Sequence, residues 1–178
     1  MPRHARFAHD PTAPFVALDF ETADRGSDSA CALALMRVEG LEIVERRVCL
    51  IRPPRRYFTF TYIHGITWHH VKDAPTFAEA WPQLRPMLDG AAFLAAHNAG
   101  FDRRVLEACC FAAGLDVPSH PFLCTVQLSR RTWGLPSNKL PDVCRHLGVD
   151  LRHHDPASDA EACARIVIAA ARAASAVV

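Results

Sequence analysis

The chain is short of the features that place a protein most quickly. No apolar run approaches the ~20 residues that a membrane helix requires, and Arg172 interrupts the longest candidate, so no membrane association is expected. The first fourteen residues hold no apolar h-region, which gives a secretory signal no support. An excess of one charge is missing too. Lys and Arg number 20 against 19 Asp and Glu, a net charge of +1, and no basic stripe announces a nucleic-acid partner. Lysine is nearly absent, with arginine carrying the basic charge, which reads as a genome composition bias. The 7 cysteines form no C-x-x-C knuckle and are odd in number, which argues against a disulfide framework and against a zinc-stabilised binding domain. Several sit in apolar stretches, as reduced thiols of a cytoplasmic protein do. What remains is ordinary globular material: 50% hydrophobic and 22% charged over 178 residues, enough for one domain. A flexible tail over residues 1–13 and a single domain over 14–178 are expected.

Patterning gives the outline. Phe15 to Phe20 reads as a short buried strand. Cys31 to Val38 and Leu41 to Ile51 form a hairpin-like pair around Glu39-Gly40, closed by Pro53-Pro54. Tyr57 to Ile63 is either extended or a short irregular helix. Thr76 to Leu88 is predicted helical, with Pro82 and Pro86 disturbing it. Ala91 to Ala96 is a strand leading to a helix from Phe101 to Ala113, capped by Gly114. Phe122 to Thr125 is a last strand. Val126 to Trp133, Asn138 to Leu147 and Ala157 to Ala174 are helices. An antiparallel set followed by alternating strands and helices predicts an α/β domain with a mixed sheet.

Three motifs carry chemistry. In Asp19-Phe20-Glu21 the two acids share one strand face while Phe20 points to the other. Such a pair is either a solvated strand end or a cation site, and hard oxygen donors suit Mg²⁺ or Mn²⁺ better than Zn²⁺. Asp155 before Pro156 is a helix-start signature, placing His154 and Asp159 at the two positions that converge in a hydrophobic staple. Asp159 either complements the helix dipole or works with His154. Finally, Ala96-His97-Asn98-Ala99-Gly100-Phe101-Asp102 puts polar residues at a strand's carboxyl end, where ligands collect in α/β sheets.

The order D-x-E, H-N-x-x-F-D, H-x-x-x-x-D resembles the DnaQ-like 3′–5′ exonucleases, in the subgroup named for four acids and a histidine. That family includes the proofreading subunit of bacterial DNA polymerase III and ribonuclease T. The resemblance runs from Phe15 to Ala170 and takes in His64-Gly65-Ile66-Thr67 and Asn138-Lys139-Leu140. It implies a ribonuclease H-like fold, a five-stranded mixed β-sheet flanked by α-helices. It implies that Asp19, Glu21, Asp102 and Asp159 hold two divalent metal ions (Mg²⁺ or Mn²⁺), with His154 as general base. Thr22 and Ala23 would lie beside the terminal ribose, and Ile63, His64, Asn98 and Phe101 against the last base. Two departures stand out: Thr22-Ala23-Asp24 replaces the common Thr-Thr-Gly, and Pro156 fills a slot more often held by alanine.

The implied substrate is the 3′ end of single-stranded nucleic acid, DNA favoured over RNA. A DNA polymerase or another replication or repair protein is an implied partner, and the resemblance also allows a homodimer. The alternative is a non-catalytic module binding nucleic acid or polymerase on the same fold; five filled catalytic positions argue against it. The dibasic pairs Arg46-Arg47, Arg55-Arg56, Arg103-Arg104 and Arg130-Arg131 are candidates for backbone contact, each read first as a solvated face, with Arg103-Arg104 favoured because it follows Asp102 directly. His153 and the pair His69-His70 are read as surface or supporting residues.

Overall fold

A computed structural model describes Asp10 and residues 12–175; the expected tail over residues 1–13 falls for the most part outside these described residues. Strand β1 (Phe15–Thr22) is the central organiser. Strand β2 (Ala30–Glu39) pairs antiparallel with it and with the edge strand β3 (Glu42–Leu50). On the other flank, β4 (Phe93–Ala96) runs parallel to β1, and β5 (Phe122–Cys124) runs parallel to β4. The sheet order is β3-β2-β1-β4-β5, the five-stranded mixed sheet that was expected.

The period-two alternation of β1 divides the core. Val16, Leu18 and Phe20 face α3 (Phe77–Leu84) and α4 (Ala99–Ala113), where they pack with Trp81, Leu106 and Cys109. Phe15 and Ala17 face α7 (Pro156–Ser175), against Ala160, Cys163, Ala164 and Val167. The small residues of α7 let the helix lie close on the sheet. Asp19 and Glu21 continue the same odd-numbered row, so the strand carries two acids toward the α7 side. β1 and β4 pair only as far as Ala17 and Ala95. Beyond that point the strands part, and the Phe20 N–H is met by the Asp102 side chain of α4 instead, at 3.0 Å.

Several expected elements shift. The predicted helix over Thr76 to Leu88 is α3 followed by a 3₁₀ turn (Arg85–Leu88), because Pro86 has no N–H to continue the ladder. The Tyr57 to Ile63 stretch contributes the one-turn helix α1 (Thr61–His64), and α2 (Trp68–Val71), which the pattern does not announce, follows it. Helix α4 starts two residues earlier than expected, from Asn98 in the left-handed conformation (φ 71°). Helices α5 (Thr125–Thr132) and α6 (Leu140–Leu147) stand near their expected places. Leu140, Val143 and Cys144 of α6 pack on Ala162 and Ile166 of α7, which fixes the segment before α6 beside the sheet. All seven cysteines are free, as expected. No helix among the described residues is long and apolar enough to cross a membrane.

The loop after β1 is stapled from within. Asp24, standing where the resemblance leads one to expect glycine, accepts Arg55 Nε at 2.8 Å, and Asp28 accepts Arg55 Nη1 and Nη2 at 2.8 and 2.6 Å. Arg55 holds both carboxyls below their usual range, chiefly by hydrogen bonding. A Cβ at Gly26 would stand 2.4 Å from Arg55 Nη2 and 2.6 Å from Asp28 Oδ1. Gly26→Ala is therefore expected to displace the Arg55 guanidinium from its clamp and cost up to about 1 kcal/mol, measured by urea unfolding. An unchanged midpoint would show the clamp to be energetically idle.

Candidate active site

The parting of β1 and β4 opens a cleft of about 1070 Å³, lined by residues of β1, α4, α5, the segment before α6 and the approach to α7. Asp19, Glu21, Asn98, Phe101, His154 and Asp159 all lie in its lining. Asp102 lies buried beneath, turned inward to cap the Phe20 N–H. One carboxylate oxygen each from Asp19, Glu21 and Asp159 falls within 4.8 Å of the others.

The predicted helix start is observed. Asp155 Oδ1 accepts the N–H groups of Ala157 (3.0 Å) and Ser158 (3.2 Å), and α7 begins at Pro156. The convergence on Asp159 is richer than expected. Its Oδ2 accepts the backbone N–H of His154 at 3.0 Å, and the ring that meets it at hydrogen-bond distance is that of His153, Nδ1 at 3.1 Å. The two imidazoles stack at 3.8 Å between centroids, with donor atoms of His153, His154 and Asp159 within 4.8 Å of one another. His154 has a left-handed backbone (φ 69°), one of three such non-glycine residues among those described. Asn98 is another, so two of the three strained positions adjoin the cleft. His153, read from sequence as a supporting residue, is thus part of the constellation.

Crowding of negative charge dominates the electrostatics. Burial, then the charges of Asp102, Glu21, Asp159 and Asp155, push Asp19 well above the carboxylate range. Glu21 is pushed up to about 8 by burial and by Asp159 and Asp102. Asp102 is pushed up to about 7 by burial, against the opposing pull of the Phe20 N–H. Burial also raises Asp159, despite the hydrogen bond from His154. Asp19 Oδ2 is closed off from solvent and has no hydrogen-bond partner among the described residues. An orphaned carboxylate oxygen amid acids that resist ionising together is what a site for hard divalent cations looks like without them. The Asp19, Glu21 and Asp159 oxygens lie close enough together to suit Mg²⁺ or Mn²⁺, while Asp102, whose Oδ1 accepts the Phe20 N–H, stands outside that group. Neither metal-capable group among the described residues contains a cysteine; one is all carboxylate (Asp19, Glu21, Asp159) and the other joins His153 and His154 to Asp159.

The remaining expected residues separate. Thr22, Ala23, Ile63 and His64 stand outside the cleft lining. The His64 ring accepts the Ile66 N–H on Nδ1 (3.0 Å) and therefore donates from Nε2 to the Thr22 carbonyl (3.1 Å). Ala23 spends its N–H on Ser29 and its carbonyl on Thr59 and Phe60. Arg103 pairs with Glu107 on the exposed side of α4, and neither it nor Arg104 enters the cleft. With Asp102 facing inward, the next two side chains of a helix rotate away by ~100° each. Arg130 lines the cleft instead, with Lys139, Ser137 and His97. The Asn138 carbonyl can only accept, so His97 Nε2–H donates to it (3.1 Å) while Nδ1 meets the Thr125 hydroxyl (2.9 Å). Burial pushes His97 down to about 4, so this brace stays neutral. The Asn138-Lys139-Leu140 landmark and the dibasic pair Arg130-Arg131 were the sequence signals for this wall.

Comparison with known proteins agrees with the geometry. Residues 16–167 match the model of a family described as Exonuclease. The PolC-type DNA polymerase III of Thermotoga maritima is 31% identical over 161 residues, which is 88% of this chain and 12% of that protein. The 3′-5′ exonuclease DinG of Bacillus subtilis is 32% identical over 155 residues, 83% of this chain and 16% of that protein. The chain thus spans a small fraction of these relatives' length. Among solved structures, exonuclease X in complex with 5′ overhanging duplex DNA aligns with a TM-score of 0.71 at 25% identity, covering 89% of this chain and 91% of that one.

The raised carboxyls predict an unusual pH dependence in chelator. Groups whose pKa is raised by folding bind protons more tightly in the folded state, so their contribution is complete near pH 4 and is lost as pH rises through about 7 to 8. The carboxyls lowered by folding, such as Asp24 and Asp142, contribute a constant amount above about pH 5. His97, His64 and His154, lowered chiefly by burial, add stability as pH rises toward about 6.5, so thermal stability in chelator is expected to fall from about pH 6.5 to pH 8, and Mn²⁺ to reverse the fall. Asp19→Asn should raise Tm in chelator at pH 8 by about 2–4 °C per kcal/mol of repulsion relieved. A stability that rises steadily to pH 8 without metal would contradict the charge assignment.

Proposed function

The chain belongs to the DnaQ-like 3′–5′ exonuclease family, and on that footing we propose that it hydrolyses phosphodiester bonds from the 3′ end of single-stranded nucleic acid, DNA in preference to RNA, releasing nucleoside 5′-monophosphates. The observation that carries this reading is the closed set of carboxylates, with Asp19, Glu21 and Asp159 converging above buried Asp102 and one Asp19 oxygen left without a partner. The preference for DNA is supported by the polymerase relatives and by the DNA complex of exonuclease X.

Asp19, Glu21, Asp102 and Asp159 would hold two divalent ions. Bound there, the ions supply charge neutralisation, a more acidic water and stabilisation of the departing 3′ oxygen. His154 is the proposed general base. Burial and neighbouring His153 lower its pKa, against the pull of Asp159, so at neutral pH it is free to take a proton. Neither of its ring nitrogens is hydrogen-bonded to a described residue, whereas His153 Nδ1 is engaged with Asp159. A proton from an attacking water can therefore pass to a ring nitrogen of His154, while His153 steadies the ring by stacking.

Asn98 and Phe101, in the cleft lining, are proposed to contact the terminal nucleotide. Thr22, Ala23, Ile63 and His64 are proposed to form the margin beside its ribose and base. Stacking on such a surface tolerates any base, so no sequence preference is expected. The proposed setting is cytoplasmic DNA replication or repair, with a polymerase as partner, in line with the PolC-type relatives.

Incubation with 5′-labelled single-stranded DNA, RNA and a mismatched duplex, with Mn²⁺ or chelator, tests this directly. A ladder shortening one nucleotide at a time from the 3′ end is expected with Mn²⁺, fastest on DNA. His154→Ala should lose activity by about 100-fold or more yet retain Mn²⁺ binding by calorimetry, whereas Asp19→Ala should lose both. His153→Ala should cost less than His154→Ala; the reverse order would move the base to His153. No cleavage of any substrate would favour the binding module.

A further inference from the structure

The cleft has a second charge set that the hydrolysis itself does not use. Arg130 of α5 and Lys139, just before α6, are the only arginine and lysine in its lining, on the wall formed by α5 and the segment before α6. Elsewhere arginines such as Arg37, Arg55 and Arg165 are paired with carboxylates. The Arg130 guanidinium makes no ion pair or hydrogen bond with a described residue. Lys139 feels Asp142, but that carboxylate is already taken by the Ser137 hydroxyl and by Arg145 at 2.8 Å. Both cations are exposed on their side chains and anchored through their backbones. The Asn138 carbonyl is held by His97, and Asn138 Oδ1 accepts the Ser129 hydroxyl at 2.8 Å. Ser129 directly precedes Arg130, so one bonded frame carries both charges.

Resting on the exonuclease reading, we propose that Arg130 and Lys139 form a subsite for the sugar–phosphate backbone 5′ to the terminal nucleotide, which makes the oligonucleotide, rather than a mononucleotide ester, the preferred substrate. A single bound phosphate would be served at the acids. A second and third phosphate in the same cleft need positive charge, and these two side chains are the ones placed there without acidic partners of their own. At about 1070 Å³ the cleft stands at the top of the roughly 300–1000 Å³ range of sites for a small ligand. Phe101, Val126, Leu135 and Pro136 complete the lining with apolar surface suited to sugar and base faces. Cations on flexible stems bind backbone phosphate whatever the sequence, in keeping with a strand consumed base by base.

The test compares two substrates with Mn²⁺: a 5′-labelled single-stranded octanucleotide, and the p-nitrophenyl ester of thymidine 5′-monophosphate, which has no upstream phosphate. Arg130→Ala and Lys139→Ala are each expected to raise KM for the octanucleotide about tenfold with kcat little changed, and to reduce the slope of log(kcat/KM) against log[salt] by about 0.7. On the ester the same substitutions should act at least about fivefold more weakly, and Lys139→Arg should restore the octanucleotide KM. Arg172→Ala, which removes an exposed charge on α7 away from the cleft, is the charge-matched control. An equal fall on both substrates, or an unchanged KM and salt slope, would overturn the subsite. Fluorescence anisotropy of the octanucleotide with Ca²⁺ in place of Mn²⁺ separates the two readings. If the wild type cleaves neither substrate but both alanine variants bind more weakly, the exonuclease reading fails and the subsite stands. If binding is unaffected, the subsite fails whatever the turnover.

Discussion

Four carboxylates brought into one poorly hydrated corner are the constraint around which this molecule is arranged. Among the described residues no lysine or arginine pairs with any of them, and only Asp159 meets an imidazole, that of His153. The Phe20 N–H serves Asp102, and the His154 N–H serves Asp159, but the two acids of β1 have burial and one another to contend with. The fold tolerates this because the acids stand where β1 and β4 part company. There the strand edge is free for α4 to approach, and water or ions have access from the cleft. Ordinary packing surrounds the defect: Phe20 faces the α3–α4 cluster one way, while Ala17 and the alanines of α7 close the other face.

The same logic explains the local strain. Asn98 and His154 adopt left-handed backbones at the mouths of α4 and α7, the helices that deliver Asp102 and Asp159. A straightforward helix entry would carry the preceding residues away from the cleft. The strained entry keeps Asn98 and His154 in its lining, an arrangement that packing on both sides of the sheet can sustain. Elsewhere in the cleft lining, neutral His97 ties α5 to the segment before α6. Acids from β1 and α7 and the cations Arg130 and Lys139 thus line one cleft. The near-zero net charge is a poor guide to such a protein, because it sums over two sets that never meet.

Much of this was legible from the chain. Period-two alternation placed Asp19 and Glu21 on one face, the Asp155-Pro156 pair marked the start of α7, and the spacing of three motifs identified the family. These features are local: they depend on residues within a turn or two of each other, and on the regular repeat of a strand or helix. Element limits near Pro86 and Asn98 moved by a few residues, where a missing donor or a left-handed entry decides what pattern cannot.

What the sequence could not determine was which cations share the cleft with the acids and which imidazole meets Asp159. Arg103 and Arg104 sit beside Asp102 in sequence, yet the rotation of α4 that buries the acid turns them outward. Arg130 and Lys139, far in sequence from Asp19, Glu21, Asp102 and Asp159, reach the cleft because α5 and α6 are docked against α7 and braced through Asn138. The stacking of His153 on His154, likewise, follows from one left-handed residue. The sequence by itself determined the outline of strands and helices and, through the resemblance its motifs carry, the family and its fold, since periodicity and spacing are properties of the local chain. The make-up of the wall formed by α5 and the segment before α6 was decided by tertiary structure alone, because it depends on the packing of helices that no local repeat encodes.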